Sequence, residues 1–461
     1  MAVTGSVTRP SVRASYNRRT MLWQPALPER YRQLSEGELA SAISARRAEL
    51  GARLLILGHH YQQDNVVQHA DLTGDSLKLS QMAAAEASAR GSEFIVFCGV
   101  HFMAETADIL TDERVKVILP DLSAGCSMAD MAAYDDAVEA WECIARATAG
   151  TRGSTRARTR VVPITYVNSS AAIKAFVGSK GGACCTSSNA AHVFEWASKG
   201  GDQPLAKGES VKILFLPDQH LGRNTAKARG LVSDVDAERS AEQSAGARVR
   251  APKNGAAKNG AAKNGAAKQG ARSSEPEMAL WSPRKESGGL TDEQIRSAKV
   301  ILWAGHCSVH KLFRPEHVDQ VREEYRDRGG ITVLVHPECA QEVVDMADLR
   351  GSTEYIINTI HAAPPGSNWA IGTEIHLVNR LARAAAERGV HARILSDSQC
   401  LCTTMYRIDQ PHLLWVLDNL AEGRVVNQVR VHPEARAHAL KALERMLKNA
   451  APARADASGT G

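Results

Sequence analysis

Aromatic residues make up only 5% of this 461-residue chain, and no apolar run approaches the ~18 residues needed to cross a bilayer. Stretches such as LLILG and VKILFL are strand-length only. A transmembrane protein is therefore excluded. Among the nine cysteines there is no CxxC pair, since the closest are Cys184 with Cys185 and Cys400 with Cys402. Neither spacing matches a zinc knuckle or a ferredoxin run. No Walker A loop is present, and no GxGxxG follows the first strand, so nucleotide binding has no support. The opening residues lack a secretory apolar core. With that leader, nine cysteines predict reduced thiols in the cytoplasm rather than disulfides.

Charge of one sign is also missing from the body of the chain. The formal net charge is +5, yet residues 1–35 contribute +5 and residues 227–278 contribute +4, which leaves −4 for the remainder. A slightly acidic body with basic appendages argues against nucleic acid as a partner, because recognition needs a basic folded face.

Length predicts more than one core unit. Residues 1–35 read as an irregular leader, with Met21 as an alternative start, and 449–461 as a frayed tail. Residues 251–274 repeat a five-residue unit with Lys253, Lys258, Lys263 and Lys268 in register and nothing to bury, marking a flexible insertion within 227–278. A shorter insertion is expected at 146–160. Between these, short apolar strands alternate with helix-period segments. The strands read are LLILG, FIVFCG, VKVILP, VVPITY, VKILFLP, VILWAG, ITVLVH and ARILSD. Continuous apolar strands separated by helices predict an α/β fold with parallel sheets covered on both faces, whose ligands sit beyond the carboxyl ends of the strands.

The chemistry-bearing residues gather at those ends. In GHHYQ, His59 and Tyr61 are two apart on an extended segment and point the same way. His336 and Glu338 have the same spacing in HPE, with Glu338 a candidate general base and His336 a donor to a developing oxyanion or a carboxylate. Cys126, Cys307 and Cys402 each follow a strand and turn in a different third of the body. Three converging thiolates can hold a cubane cluster by three corners and leave the fourth iron open to act as a Lewis acid. Hydroxyl-bearing turns at Asp75-Ser76, Thr186-Ser187-Ser188 and Gly351-Ser352-Thr353 read first as helix N-caps and second as anion sites. Together they suit a substrate with two carboxylates, or with a carboxylate and a phosphate. A zinc hydrolase built on His310, His336 and Glu338 is the enzyme alternative, and a cluster-bearing nucleic-acid regulator the non-enzyme one.

Read in order, GHHYQ, GDSLKLSQ, FCGVHFMAETADIL, CSMADM, YVNSSAAIKA, CCTSSNA, PDQHLGRNTA, GHCSVH, LVHPEC, VVDMADLRGSTEYI, IGTE and CTTMYRIDQPHLLWVLDNL resemble the quinolinate synthase family. The resemblance covers residues ~40–226 and ~278–425. It implies an enzyme of NAD biosynthesis that condenses iminoaspartate with dihydroxyacetone phosphate to quinolinate, phosphate and two waters. It further implies three αβα domains around a pseudo-threefold axis with a central active site. Their expected bounds are 36–125 completed by 403–448, then 126–306, then 307–402. Carried over by motif, a [4Fe-4S] cluster would rest on Cys126, Cys307 and Cys402. Cys402 is preferred to Cys400 because the family's last ligand stands in a C-x-x-M pattern. Catalysis would fall to Tyr61, Glu338 and His336. Substrate binding would fall to His59, Ser76, Tyr166, Asn168, Ser187, His310, His336, Glu338, Ser352, Thr353 and Thr373. The L-aspartate oxidase that makes iminoaspartate is the partner implied.

Overall fold

The computed structural model describes residues 24–149, 158–238, 276–398 and 400–449. The repeat at 251–274 and most of the shorter insertion lie outside these residues. Three αβα units follow one another, each built on its own sheet. In the first, Leu54–His59 is central, with Leu72–Gly74 on one side and Phe94–Cys98 then Lys116–Ile118 on the other, all parallel. The short strand Gln428–Val429 closes this sheet antiparallel to Lys116–Ile118. The second sheet is fully parallel, in the order Ala183–Cys185, Thr159–Tyr166, Ser210–Leu216, Val300–Trp303 and Met278–Trp281. The third is also parallel, in the order Leu349–Arg350, Thr332–Val335, Asn368–Gly372 and His391–Ile394.

Burial explains why these segments are strands. Every residue of Leu54–His59 and Phe94–Cys98 is buried, as helices covering both faces of a parallel sheet require. In the third unit Val333 and Val335 pack into one core cluster and Leu334 into another, the two-residue alternation of a strand between two helical layers. Each of the eight strands expected from sequence is present.

Two expectations differ from what is seen. The leader is not irregular throughout, for Glu29–Arg32 forms a helical turn in which Tyr31 is buried and donates its hydroxyl to Asp418 Oδ2 at 2.8 Å. Burying that ring on the helix Gln410–Ala421 offsets the entropy of ordering a short segment. Nor does everything in 403–448 complete the first unit. Gln410–Ala421 does pack on Glu36–Leu50, but the last helix, Pro433–Lys448, lies on Ala171–Ser179 of the second unit. The close approach is made possible by Gly178, where a Cβ would collide with the backbone carbonyl of His438.

Candidate active site

The carboxyl ends of all three sheets open onto one pocket of about 680 Å³ of empty space, its mouth included. His59 ends the first strand, and the backbone N–H of Tyr61 donates to His59 Nδ1 at 3.1 Å. That bond leaves the ring proton on Nε2. Burial pulls the imidazole down to about 3, with the charges of His60 and Arg380 acting in the same direction, so His59 is neutral. The Tyr61 ring stands edge-on to it, with centroids 4.8 Å apart. Its hydroxyl reaches into the third unit, 3.3 Å from Thr353 Oγ1 and 2.9 Å from Thr373 Oγ1.

The second unit brings Tyr166 and Asn168 from the end of Thr159–Tyr166, and Thr186 and Ser187 from the turn after Ala183–Cys185. Burial, then the charge of Glu338, raises both the Tyr61 and Tyr166 phenols well above their ordinary value. Both stay protonated and can donate.

The third unit brings Glu338, His310 and His336 together. Glu338 Oε2 lies 3.0 Å from His310 Nδ1 and 3.2 Å from His336 Nδ1, and the two imidazoles stack with centroids 4.5 Å apart. The His310 contact is bent away from hydrogen-bond alignment, so it contributes charge more than directed bonding. Burial alone would push the Glu338 carboxyl up. The charge of His310 and the bond to His336 overcome that and hold it well below the usual carboxylate range. Its other oxygen, Oε1, is buried and has no hydrogen-bond partner among the described residues. An ionised carboxylate with one idle oxygen is equipped to take a proton.

Cys126, Cys307 and Cys402 line the same pocket and are the three partly accessible cysteines, whereas the other six are buried. Burial pushes Cys126 up to about 12 and Cys307 well above the ordinary thiol value, and the charges of the other thiolates add to both shifts. Three sulfurs close enough to repel one another are a donor set that a cationic iron–sulfur centre would relieve. The apolar wall of Val100, Phe102, Met103, Met128, Val309 and Met405 beside them excludes water. Cys307, His310 and Glu338 also place one ligand atom each within 4.8 Å of one another, a grouping that can hold a single metal ion.

The pocket thus gathers thirteen of the fifteen residues singled out from sequence. Thr373 stands behind Tyr61 instead of facing the space. Ser352 is not at the pocket either, because its hydroxyl caps the helix Thr353–His361 by accepting from Tyr355 N. Sequence reasoning places Asp218 among the polar residues at strand ends without giving it a role, and it missed Asn224, although PDQHLGRNTA contains both. Asp218 Oδ2 accepts the backbone N–H of Cys307 at 3.2 Å, and Oδ1 accepts that of Leu221 at 2.6 Å.

Comparison with known proteins agrees with this arrangement. Residues 41–448 match the family model described as quinolinate synthetase A protein. The quinolinate synthase of Acidobacterium capsulatum is 49% identical over 91% of this chain and 95% of its own length. That of Rhodopirellula baltica is 47% identical over 90% and 92%. The chain belongs to the quinolinate synthase family. The family match ends at Lys448, the last residue of the helix that packs on Gly178, and begins inside Glu36–Leu50. It therefore takes in the three sheets, and all the pocket residues fall inside it. Among the described residues no helix is long and apolar enough to cross a membrane.

Proposed function

We propose that this chain, acting in NAD biosynthesis in the cytoplasm, condenses iminoaspartate with dihydroxyacetone phosphate, giving quinolinate, phosphate and two waters. The observation that carries the proposal is the idle Oε1 of an ionised Glu338 in a pocket shared with three accessible thiols. An oxidase that makes iminoaspartate from L-aspartate would supply the nitrogen substrate.

The two substrates bring two carboxylates and a phosphate. Helices of each unit begin at the pocket with a hydroxyl residue at or near the first turn: Ser76–Arg90, Ala190–Ser198 after Thr186 and Ser187, and Thr353–His361. Their free N–H groups and positive ends suit anions, and the hydroxyls and the Asn168 amide add directed donors. Glu338 Oε1 takes the proton from the carbon next to the carbonyl that must enolise, and in each dehydration it takes a carbon-bound proton and passes it to the departing hydroxyl, which leaves as water, so the carboxylate is restored. Neutral His59, through Nε2–H, and the phenols of Tyr61 and Tyr166 donate to oxygens as charge develops on them. The aspect of Cys126, Cys307 and Cys402 suits a [4Fe-4S] cluster, which when bound supplies a Lewis-acidic iron.

The test is quinolinate formation from both substrates by anaerobically purified protein. Glu338→Gln, which keeps the shape but cannot accept the proton, should lower kcat by about 10²–10⁴. A wild-type protein that makes no quinolinate while retaining iron would refute the assignment, and about one zinc per chain in place of iron would point to the hydrolase alternative.

A further inference from the structure

Cys307 follows a strand of the second sheet and Glu338 a strand of the third, yet their functional atoms lie within 4.8 Å. A single helix of the second unit, Gln219–Ala228, touches the backbone on both sides of that gap. At its start, the N-cap Asp218 accepts from Cys307 N. Six residues further on, buried Asn224 donates through Nδ2 to Pro337 O and to Cys339 O, each at 2.9 Å. These are the two carbonyls that flank Glu338. With two carbonyl acceptors, an amide NH2 supplies both donors without adding charge to the buried site, so the identity of the side chain matters.

The HPE turn is also tied to its own sheet, where His336 N donates to Gly372 O at 3.1 Å and Cys339 Sγ donates to the same oxygen at 3.7 Å. Those bonds fix the turn to the third sheet, and toward the Cys307 turn the side chain of Glu338 meets His310 Nδ1 at 3.0 Å. The helix adds a link between the two backbones. Asp218 and Asn224 sit about 9 Å apart along a rigid rod, and each holds one of the two elements that must meet. We propose that Asn224 is a positioning residue that sets where the Glu338 carboxylate stands relative to Cys307. This rests on the reading of Glu338 as the base.

The reconstituted holoenzyme, wild type and as Asn224→Leu, Asn224→Ser and Glu338→Gln, is compared for kcat, KM, iron and sulfide content and visible absorption. Asn224→Leu removes both donors while keeping the branched outline of the side chain and should lower kcat about 100-fold, the scale of an ångström of misplacement at a reacting group. KM should stay within about threefold, because substrate anions are held elsewhere. Iron, sulfide and absorption should match wild type, since Asp218 still holds Cys307. Asn224→Ser keeps one donor and should recover part of the loss. Wild-type kcat in Asn224→Leu together with an inactive Glu338→Gln overturns the positioning role alone. Wild-type kcat in Glu338→Gln overturns the base reading and this inference with it. If Asn224→Leu and Asn224→Ser both lose iron along with turnover, the helix supports the fold rather than the base, and the inference also fails.

Discussion

The hydroxyl of Tyr61, carried by the first unit, lies 2.9 Å from Thr373 Oγ1 of the third. The phenol is thereby held over the pocket from the side opposite its own backbone, with its proton retained. Tyr61→Phe leaves the ring against His59 and removes only the donor. It should lower kcat by about 10²–10³, the usual loss for one preorganised oxyanion donor, with little change in thermal midpoint. Steady-state kinetics beside a melting curve separates this from a packing defect.

The loop that carries Tyr61 is clamped from the third unit. Arg380 donates to Gln62 O at 2.8 Å, to Asp64 Oδ1 at 2.9 Å and to His60 O. Asp64 also pairs with Arg383. Arg380→Ala releases two backbone carbonyls and one ion pair. The kcat/KM should fall about tenfold, a loss of ~1.4 kcal/mol in transition-state binding, while iron content stays as in wild type.

Three histidines make stability depend on pH. Burial pulls His59 down to about 3, His60 to about 4 and His220 to about 3. Unfolded histidines take up a proton near 6.5 and these do not, so between about pH 6.5 and 4 the unfolded state binds more protons. Stability must then fall as pH falls, by up to ~1.4 kcal/mol per unit for each histidine. Urea midpoints from pH 7 to 5 should drop, and His220→Gln should flatten the slope. A flat profile over that range would contradict the burial argument.

Much of the fold could be read because its central strands are continuous apolar runs at sheet centres. Five of the strands that escaped notice are short and at edges, Leu72–Gly74, Ala183–Cys185, Met278–Trp281, Leu349–Arg350 and Gln428–Val429, and the sixth, Asn368–Gly372, is interior to the third sheet. Several contain Gly, Ala, Asn or Gln, and their pairing comes from a neighbour already in place rather than from local preference. The pocket residues could be read for a related reason, since chemistry at strand ends announces itself by polar residues directly after apolar runs. Asp218 stands directly after VKILFLP and carried that signal without a role, whereas Asn224 gave none. An N-cap aspartate and a helical asparagine are ordinary until the loops that they bind are seen in space.

The seat of the last helix was equally hidden. Nothing in AAIKAFVGS says that Gly178 must receive the backbone of His438. Gly178→Ala places a methyl against a carbonyl that cannot swing aside, and it should cost about 3 kcal/mol, at the upper end of overpacking. Chemical denaturation measures this directly, and activity per folded molecule should be unchanged because the contact is remote from the pocket.

The central claim is that three cysteines of one pocket hold an iron–sulfur cluster on which quinolinate formation depends. Iron and acid-labile sulfide, measured anaerobically beside quinolinate output, test it most directly in Cys126→Ser, Cys307→Ser, Cys402→Ser and the buried control Cys184→Ser. The account predicts about four irons and four sulfides per chain in wild type and in the control, with cluster and turnover lost or severely reduced in each of the three pocket variants. A full cluster in any of those three, or quinolinate made without iron, would contradict it.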